Sequence, residues 1–169
     1  TSIETADEDI IGKLLLPTFN RKVHKILRVR FADDEPIMFD KTFISYHLCP
    51  VLEKDDLENG SLYRILIDKL HLPLDHANIT YQAVLVGKDA SKHLKCPIGS
   101  PAIFIERLTF LKNGIPIELS LGVARADRFK LSEQAKINPK GSFREEVRVF
   151  LEKEWAKVIQ KIKIKYLIS

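Results

Sequence analysis

Polar and hydrophobic residues alternate on both sides of the dipeptide Asn113-Gly114. Asn-Gly between two alternating segments predicts a β-hairpin with a two-residue type I′ turn. In that register Thr109 lies opposite Glu118 and Arg107 lies opposite Ser120, all on one face of the hairpin. The other face is nearly all apolar and includes Leu108, Phe110, Ile117 and Leu119. The polar face is either a solvated outer surface, which antiparallel sheets often have, or part of a binding site.

A second alternating segment places Arg28 and Arg30 on the same face of a predicted strand. Their Cα atoms are about 6.8 Å apart at the rise of a β-strand. Two guanidinium groups at this spacing can bind one phosphate or carboxylate through bidentate hydrogen bonds. The alternative interpretation is a surface ladder of arginines and carboxylates, which contributes less than ~1 kcal/mol.

The length of the loop after this strand decides which residues face the two arginines. A three-residue loop places Arg28 opposite Asp40 and Arg30 opposite Met38, and it requires one residue in the left-handed conformation. A four-residue loop would instead place Arg30 opposite Ile37, and Arg28 would no longer face Asp40.

Along the whole chain the pattern predicts strand, strand, helix, strand, short helix, strand, strand and a long terminal helix. Ser61 is placed to cap a helix whose apolar stripe starts at Leu62 and covers the sheet. Asp89 is placed to cap a brief helix. Ser142 and Glu145 form a capping box, and the apolar residues after it recur at spacings of three and four, which predicts an amphipathic helix of about 20 residues.

The composition indicates one globular domain of ordinary makeup. The chain has 169 residues, of which 45% are hydrophobic, and 27 Lys and Arg stand against 23 Asp and Glu. The resulting charge of +4 is too small and too scattered to indicate a nucleic-acid surface by itself. Cys49 and Cys96 lack zinc-ligand spacing, so free thiols in a reducing compartment are expected. With no apolar run of transmembrane length and no signal-peptide pattern, we expect a cytoplasmic protein that does not bind a membrane.

Most sequence motifs for catalysis are missing. The chain has no Gly-rich phosphate loop, no nucleophile elbow and no metalloprotease motif, and its histidines do not have metal-ligand spacing. Asp40 and Glu118 could form a general acid/base pair, but no nucleophile accompanies them. We therefore expect no metal, no cofactor and no catalytic residue.

Three blocks of sequence resemble one bacterial family in their order and spacing. The blocks are RVRFADDEPIMFDKTFI, NGSLYRIL and LKCPIGSPAIFIERLTFLKNGIPIELSLGVARADRFKL. They resemble the effector-binding domain, called UTRA, of the HutC branch of GntR-type bacterial transcription regulators. The resemblance covers roughly residues 15–131.

The resemblance implies a chorismate-lyase-like α+β fold, in which an antiparallel sheet and its covering helices enclose a small-molecule pocket. It implies binding of a small anionic metabolite, such as a sugar phosphate, by a homodimer that controls a winged-helix DNA-binding domain. Arg28 and Arg30 match the arginines for the anionic part of the effector, and Asp40, Ser61 and Glu118 match its acidic and hydroxyl positions. The complete set of expected effector-binding residues is Arg28, Arg30, Asp40, Ser61, Arg107, Glu118, Ser120 and Arg125.

This chain departs from the family pattern at three positions. Ala124 stands where the family often has tyrosine, Asp40 is shorter than the usual glutamate, and Asp34 replaces a usual glycine. The effector is therefore expected to differ from the common amino-sugar phosphates. A chorismate-lyase-type enzyme on the same fold is the alternative function.

The resemblance also divides the chain into expected parts. Residues 1–14 are expected to be a tail or residual linker, 15–131 the UTRA-like domain, and 132–169 a C-terminal amphipathic helix extension. Since only 14 residues precede the resembling region, no DNA-binding domain is expected in this chain.

Overall fold

The computed structural model describes residues 1–52 and 61–130, together with the backbone of three short strands nearer the C-terminus. The strands are β1 (Ser2–Thr5), β2 (Lys22–Ala32), β3 (Glu35–Ser45), β4 (Leu74–Leu85), β5 (Pro101–Leu111), β6 (Pro116–Arg125), β7 (Lys136–Ile137), β8 (Phe143–Arg144) and β9 (Lys163–Tyr166). The helices are α1 (Glu8–Leu14), α2 (Leu62–Arg64), which continues as a π-helix over Ile65–Lys69, and α3 (Lys88–Leu94).

The strands form an antiparallel sheet in the order β1-β2-β3-β6-β5-β4, and β9 pairs with β2. The element order β-α-β-β occurs twice, first as β1-α1-β2-β3 and then as β4-α3-β5-β6. The two halves meet where β3 pairs with β6, and Lys41 lies opposite Leu121 in the middle of that pairing. The expected α+β fold with an antiparallel sheet is confirmed.

Helices α1 and α3 both pack on one face of the sheet, which we call the helix-covered face. Each helix places apolar residues at a spacing of four toward the sheet, namely Ile10 and Leu14 in α1 and Ala90 and Leu94 in α3. The hydrophobic cluster under α1 contains Val23, Phe43 and Leu119 of the sheet. The cluster under α3 contains Val29, Phe39 and Ala102. Leu108 and Leu119 of the predicted hydrophobic face of the second hairpin therefore lie in this core, whereas Ile117 packs in the cluster on the opposite face of the sheet.

Helix α2 covers part of the opposite face. Leu62, Ile65 and Leu66 pack there against Ile26 and Ile44 of the sheet. The helix predicted after Ser61 is confirmed in position and in packing. Its second half is π-helical, since Leu70 N donates to Ile65 O at 3.0 Å, five residues back.

The two hairpin turns differ in length from the predictions, in opposite directions. The first turn consists of Asp33 and Asp34, which both have positive φ (47° and 65°), so it has two residues and not three or four. The second turn has three residues and ends at Gly114, which has a φ of 78° and donates through its N–H to Leu111 O at 2.9 Å. This is a turn with one left-handed glycine, and not the predicted type I′ turn.

A β-bulge beside each turn restores the predicted register. In the first hairpin a shift next to Arg30 keeps Arg28 opposite Asp40. In the second hairpin a shift next to Phe110 places that residue opposite Pro116, whereas it was predicted opposite Ile117. The pairings farther from the turns agree with the prediction. Ile117 is an exception to the predicted faces: it lies next to the second bulge and packs against α2, on the face opposite Leu119.

The first 14 residues form ordered structure where a tail or linker was expected. Strand β1 pairs with β2, and Asp7 is the N-cap of α1, where its side chain accepts a hydrogen bond from Ile10 N at 2.9 Å. Helix α3 also starts differently from the prediction, because Gly87 is its N-cap and Asp89 lies in its first turn.

The long helix expected after Ser142 falls mostly outside the described residues. Phe143–Arg144 lies within its predicted span and pairs as a strand with Lys136–Ile137. Lys163–Tyr166, within the expected extension, also forms a strand. No helix in the described part of the chain is long and apolar enough to cross a membrane.

Candidate functional site

A row of polar side chains crosses the middle of the sheet on the face opposite α1 and α3. We call these residues the polar row; they are Arg28, Arg30, Asp40, Thr42, Ser120, Glu118, Thr109 and Arg107. They share one face because residues of β2, β3, β6 and β5 that lie opposite one another project to the same side. Most of the row is buried, including both carboxylates. The solvated outer face and the exposed surface ladder, which the sequence left open, are thereby excluded.

One half of the row is a carboxylate held by two arginines. Asp40 Oδ2 accepts a hydrogen bond from Arg30 Nε at 3.1 Å and lies 3.6 Å from Arg28 Nε. Asp40 and Arg28 are buried, whereas the side chain of Arg30 keeps 29% of its surface exposed. Arg30 therefore offers the more accessible guanidinium of this half.

Two hydroxyl groups connect the halves. Arg28 Nη2 donates to Thr42 Oγ1 at 2.8 Å, and Thr42 Oγ1 lies 3.2 Å from Ser120 Oγ. Thr42 lies directly opposite Ser120 in the central strand pair, so the register alone brings these hydroxyls together. The polar groups thus form a continuous hydrogen-bonded chain from β2 to β6.

The other half is a fully buried carboxylate, Glu118, with partners on both oxygens. Arg107 Nη2 donates to Oε1 at 3.0 Å, while Thr109 Oγ1 at 2.5 Å and the Tyr63 hydroxyl at 3.0 Å donate to Oε2. Burial and the negative charge of Glu118 raise the pKa of Tyr63 to about 12, so the phenol stays protonated and donates. The Arg107 guanidinium also lies 5.2 Å from the centre of the Tyr63 ring.

Two arginines of the row keep part of their side chains exposed, and two of its buried atoms have no hydrogen-bond partner among the described residues. The Arg107 side chain is 24% exposed, similar to Arg30. Within the described residues Asp40 Oδ1 has no hydrogen-bond donor and Arg107 Nε has no acceptor. Such buried polar atoms are usually satisfied. The row therefore exposes parts of two guanidinium groups, which can bind an anion, and it contains a buried carboxylate oxygen without a donor in the described part of the chain.

Gly122 shapes the row where β6 passes Asp40. A Cβ at this position would collide with the end of the Met38 side chain and would closely approach Asp40 Oδ1. Because glycine has no side chain, there is room beside β6 for the side chains of Asp40 and Met38.

The structure brings together most, but not all, of the predicted site residues. Arg28, Arg30, Asp40, Arg107, Glu118 and Ser120 lie in the row. Ser61 is exposed at the start of α2 and makes no side-chain capping bond. Arg125 pairs instead with Glu35 and Asp127, each at 2.7 Å.

Sequence reasoning omitted three members of this network from the expected site. Thr42 is two residues beyond Asp40 and so shares its face, and Thr109 had been placed opposite Glu118, so the alternation could have identified both. Tyr63 belongs to α2, and only the packing of that helix brings its hydroxyl to Glu118.

Two cavities lie away from the polar row. One of about 240 Å³ is lined by Cys96, Arg125 and Asp127 among others. The second, of about 360 Å³, lies on the helix-covered face and is lined by residues such as Phe39, Lys41 and Phe104. Among the described residues no group of His, Cys, Asp and Glu side chains could hold a metal ion.

Comparison with known proteins identifies the family. The UTRA domain model matches residues 2–130. HTH-type transcriptional regulator GmuR of Bacillus subtilis is 30% identical over 107 residues, which is 63% of this chain and 45% of GmuR. The chain thus spans about half the length of this curated relative.

Solved structures share the fold. A GntR-family transcriptional regulator from Enterococcus faecalis superposes with a TM-score of 0.72 at 26% identity, covering 79% of this chain and 94% of that one. The effector-binding domain of the B. subtilis trehalose repressor superposes with a TM-score of 0.68 at 19% identity, covering 81% and 94%. The chain belongs to the UTRA domain family, and the relatives that share its sequence and fold are bacterial transcription regulators, including one of the GntR family.

Proposed function

We propose that this domain is the effector-binding part of a transcription regulator and that it binds a small anionic metabolite on the polar row. The observation that carries the proposal is the burial of Asp40 and Glu118, with their arginines, in the middle of the sheet. Buried ion pairs are weak sources of stability compared with apolar residues of similar volume. A site that needs fixed charges accounts for their presence better than the fold alone does.

The exposed parts of the row define the ligand chemistry. Guanidinium groups bind phosphate and carboxylate through planar, paired hydrogen bonds. Arg30 and Arg107 each keep part of the side chain accessible. Asp40 Oδ1 is buried and has no donor among the described residues, so it can accept a hydrogen bond only from a hydroxyl or amine of a ligand that reaches into the row. A sugar phosphate combines these groups, and a trehalose repressor shares the fold.

Regulation requires that the effector distinguish two states of the protein. In the proposed mechanism, binding shifts the population of two arrangements of a homodimer, and the favoured arrangement sets the position of a winged-helix DNA-binding domain of the same regulator. The match to only 45% of GmuR supports a further domain in such regulators.

Thermal shift and titration calorimetry test the binding. Glucose 6-phosphate and glucose form a matched pair of probes that differ only in the phosphate, and inorganic phosphate, citrate and an alkylphosphonate extend the panel. At least one anionic probe should raise the melting temperature, and its uncharged counterpart should not. Failure of every anionic probe to stabilise the protein would contradict the proposal.

Arginine variants locate the site. Arg30→Ala should weaken binding of the stabilising probe, because charge-assisted hydrogen bonds are lost from a partly exposed position. Arg21→Ala is the matched control, since Arg21 lies outside the row and pairs with Glu8. Equal affinity of the wild type and Arg30→Ala would place the ligand elsewhere.

The alternative of a chorismate-lyase-type enzyme is tested in the same preparation. Both oxygens of Glu118 are occupied by neighbouring side chains, which supports a positioning role over proton transfer. Chorismate is incubated with the protein, and formation of a hydroxybenzoate is followed by absorbance. Product formation that depends on Arg28 and Glu118 would replace the sensor function by catalysis.

A further inference from the structure

A short strand near the C-terminus lies along the outer edge of the sheet, beside the arginines of β2. On the edge of β2 that faces away from β3, strand β1 pairs with β2 as far as Lys25. Strand β9 (Lys163–Tyr166) pairs in antiparallel fashion with the next part of this edge, from Arg28 to Phe31. The UTRA match ends at residue 130, so β9 belongs to a part of this chain outside the matched domain.

The register of β9 places it next to the half of the polar row that contains the two arginines of β2. Tyr166 lies opposite Arg28, and Ile164 lies opposite Arg30. Directly opposite residues of antiparallel strands share a face of the sheet, with Cα atoms about 5 Å apart. The register therefore adds Tyr166 and Ile164 to the face of the polar row, whereas the two lysines of β9 fall on the helix-covered face.

The burial of β2 agrees with a strand at this edge. Arg28 and Val29 are 5% and 3% exposed, although β1 does not reach them. A strand that is paired on one edge only leaves its other edge open to solvent. Strand β9 is the neighbour that the structure describes on this side, so we treat it as a regular strand of the sheet.

Charge and apolar surface are separated between β2 and β9. The described ion pairs of this half set two guanidinium groups, of Arg28 and Arg30, against the one carboxylate of Asp40, which leaves an excess positive charge for an anion. The neighbouring β9 positions on the same face are aromatic and aliphatic. Such side chains pack against the carbon framework of a ligand and contribute nothing to neutralising its charge.

We propose that β9 completes the effector site, and that the ligand is an organic anion whose ring packs against Tyr166 while its charged group binds Arg30. This inference rests on the proposed function, because it assigns a second part to the same ligand site. Arg30 and Tyr166 are diagonal neighbours in the strand pair, about 7–8 Å apart, which aromatic side chains can bridge. A phosphate or carboxylate carried on a ring fits both parts, whereas inorganic phosphate uses the arginines alone.

The position of β9 is tested with engineered cysteines in a Cys96→Ser background. Phe31→Cys combined with Lys163→Cys should form an intramolecular disulfide on oxidation, because directly opposite residues lie within disulfide reach. Phe31→Cys combined with Lys165→Cys is the matched control, whose Cα atoms would lie about 8 Å apart, beyond that reach. Alkylation of free thiols followed by mass spectrometry measures both pairs. An unlinked first pair, or equal linking of the two pairs, would overturn the proposal.

Titration calorimetry of the full chain at physiological salt tests the ligand contact. The ligands are inorganic phosphate and glucose 6-phosphate, or another organic anion of the panel if that binds more tightly. Tyr166→Ala should weaken binding of the organic anion about three- to tenfold and leave inorganic phosphate nearly unchanged, because only the organic anion has a ring to pack. Tyr166→Phe keeps the aromatic ring and should retain the affinity. Lys165→Ala is the control in the same strand, at a position on the other face, and should bind as the wild type does.

The outcomes separate this inference from the proposed function. Equal affinity of wild type and Tyr166→Ala for the organic anion would overturn the role of β9 and leave effector binding intact. A loss of the same size for inorganic phosphate, or in Lys165→Ala, would also overturn it, because the effect would then not come from a ring contact. Failure of the wild type to bind every anionic probe is a different result, which overturns the proposed function and this ligand assignment together.

Discussion

Arg107 and Glu118 pair across a diagonal of the sheet: Arg107 Nη2 lies 3.0 Å from Glu118 Oε1, although the residue opposite Arg107 is Ser120. Thr109, which does lie opposite Glu118, donates to the other oxygen together with Tyr63. The carboxylate is thus fixed from both sides, and it holds a partly exposed guanidinium at one end of the polar row.

Removing the Glu118 carboxylate should strongly destabilise the fold. Glu118→Ala leaves the largely buried Arg107 without its counter-ion, and we expect the free energy of unfolding to fall by ~2–4 kcal/mol. Breaking a fully buried ion pair costs ~3–5 kcal/mol, and the expected value is lower here because Arg107 is partly exposed. Glu118→Gln keeps one acceptor oxygen for Arg107, and its NH2 group can donate to the Thr109 or Tyr63 hydroxyl, so it should lower the stability less. Urea unfolding measures the free energy of unfolding of both variants, and the comparison holds when their m-values equal that of the wild type. A loss below ~1 kcal/mol for Glu118→Ala would show that the pair is not structurally required.

The Tyr63 hydroxyl should contribute measurably to the docking of α2. Tyr63→Phe removes a hydrogen bond to an ionised carboxylate and is expected to lower the free energy of unfolding by ~1–2 kcal/mol. Tyr46→Phe, at a ring that packs on His24, makes the same chemical change away from Glu118. If both variants unfold at the same urea concentration, the bond from Tyr63 does not stabilise the protein.

Leu119 should be among the most sensitive core positions. It is fully buried on the helix-covered face, and Leu119→Ala opens a cavity that we expect to lower stability by ~2–5 kcal/mol. Leu15→Ala makes the same truncation at a side chain that is 70% exposed and should have little effect. Similar melting temperatures for the two variants would contradict the assigned burial.

His24 should make the fold sensitive to mild acid. Burial lowers its pKa in the folded protein, and its Nε2 lies 2.7 Å from Cys49 O. As the pH falls below about 6.5, the unfolded chain takes up this proton before the folded chain does, so stability decreases until the lowered folded pKa is passed.

The measurement is the free energy of unfolding at pH 7 and pH 5 for wild type and His24→Gln. The variant should lose less stability over this interval than the wild type. His76→Gln changes an exposed histidine and serves as the control. An identical pH dependence for wild type and His24→Gln would assign the acid sensitivity to other groups.

Arg125 should not contribute to effector binding. Its guanidinium is engaged by Glu35 and Asp127, and these ion pairs raise its pKa. Arg125→Ala is therefore expected to leave the affinity for the stabilising anionic probe unchanged, in contrast to Arg30→Ala. Titration calorimetry of the two variants decides the matter. A comparable loss of affinity in both would return Arg125 to the effector site.

The hairpin registers were predictable because side-chain alternation in a strand has a period of two. A shift by one residue would place Glu118 among the apolar residues under α1 and Leu119 among the charged groups of the polar row, so the pattern itself selects the pairing. The turn lengths were not predictable in the same way. A bulge adds one residue to one strand without changing the alternation farther along. A wrong prediction of the turn length therefore does not change the predicted pairing a few residues away from the turn.

The first strand and helix were missed although local signals exist. Asp7 is a helix cap, acidic residues follow it, and Ile10 and Leu14 have helical spacing. The same spacing of buried positions recurs in α3, at Ala90 and Leu94, although α3 has no side-chain cap. The comparison of the two segments would have indicated the repeated β-α-β-β order.

The amino-acid sequence by itself determined the antiparallel hairpins, the face on which each charged residue projects, and the family. Only the tertiary structure decided that this face is buried, that α2 brings Tyr63 to Glu118, and that Arg125 pairs elsewhere. The physical reason is the distance along the chain over which each interaction acts. Alternation and turn chemistry act between neighbours along the chain, whereas burial and the choice of ionic partner depend on elements that are distant in sequence and meet only when the sheet and helices pack.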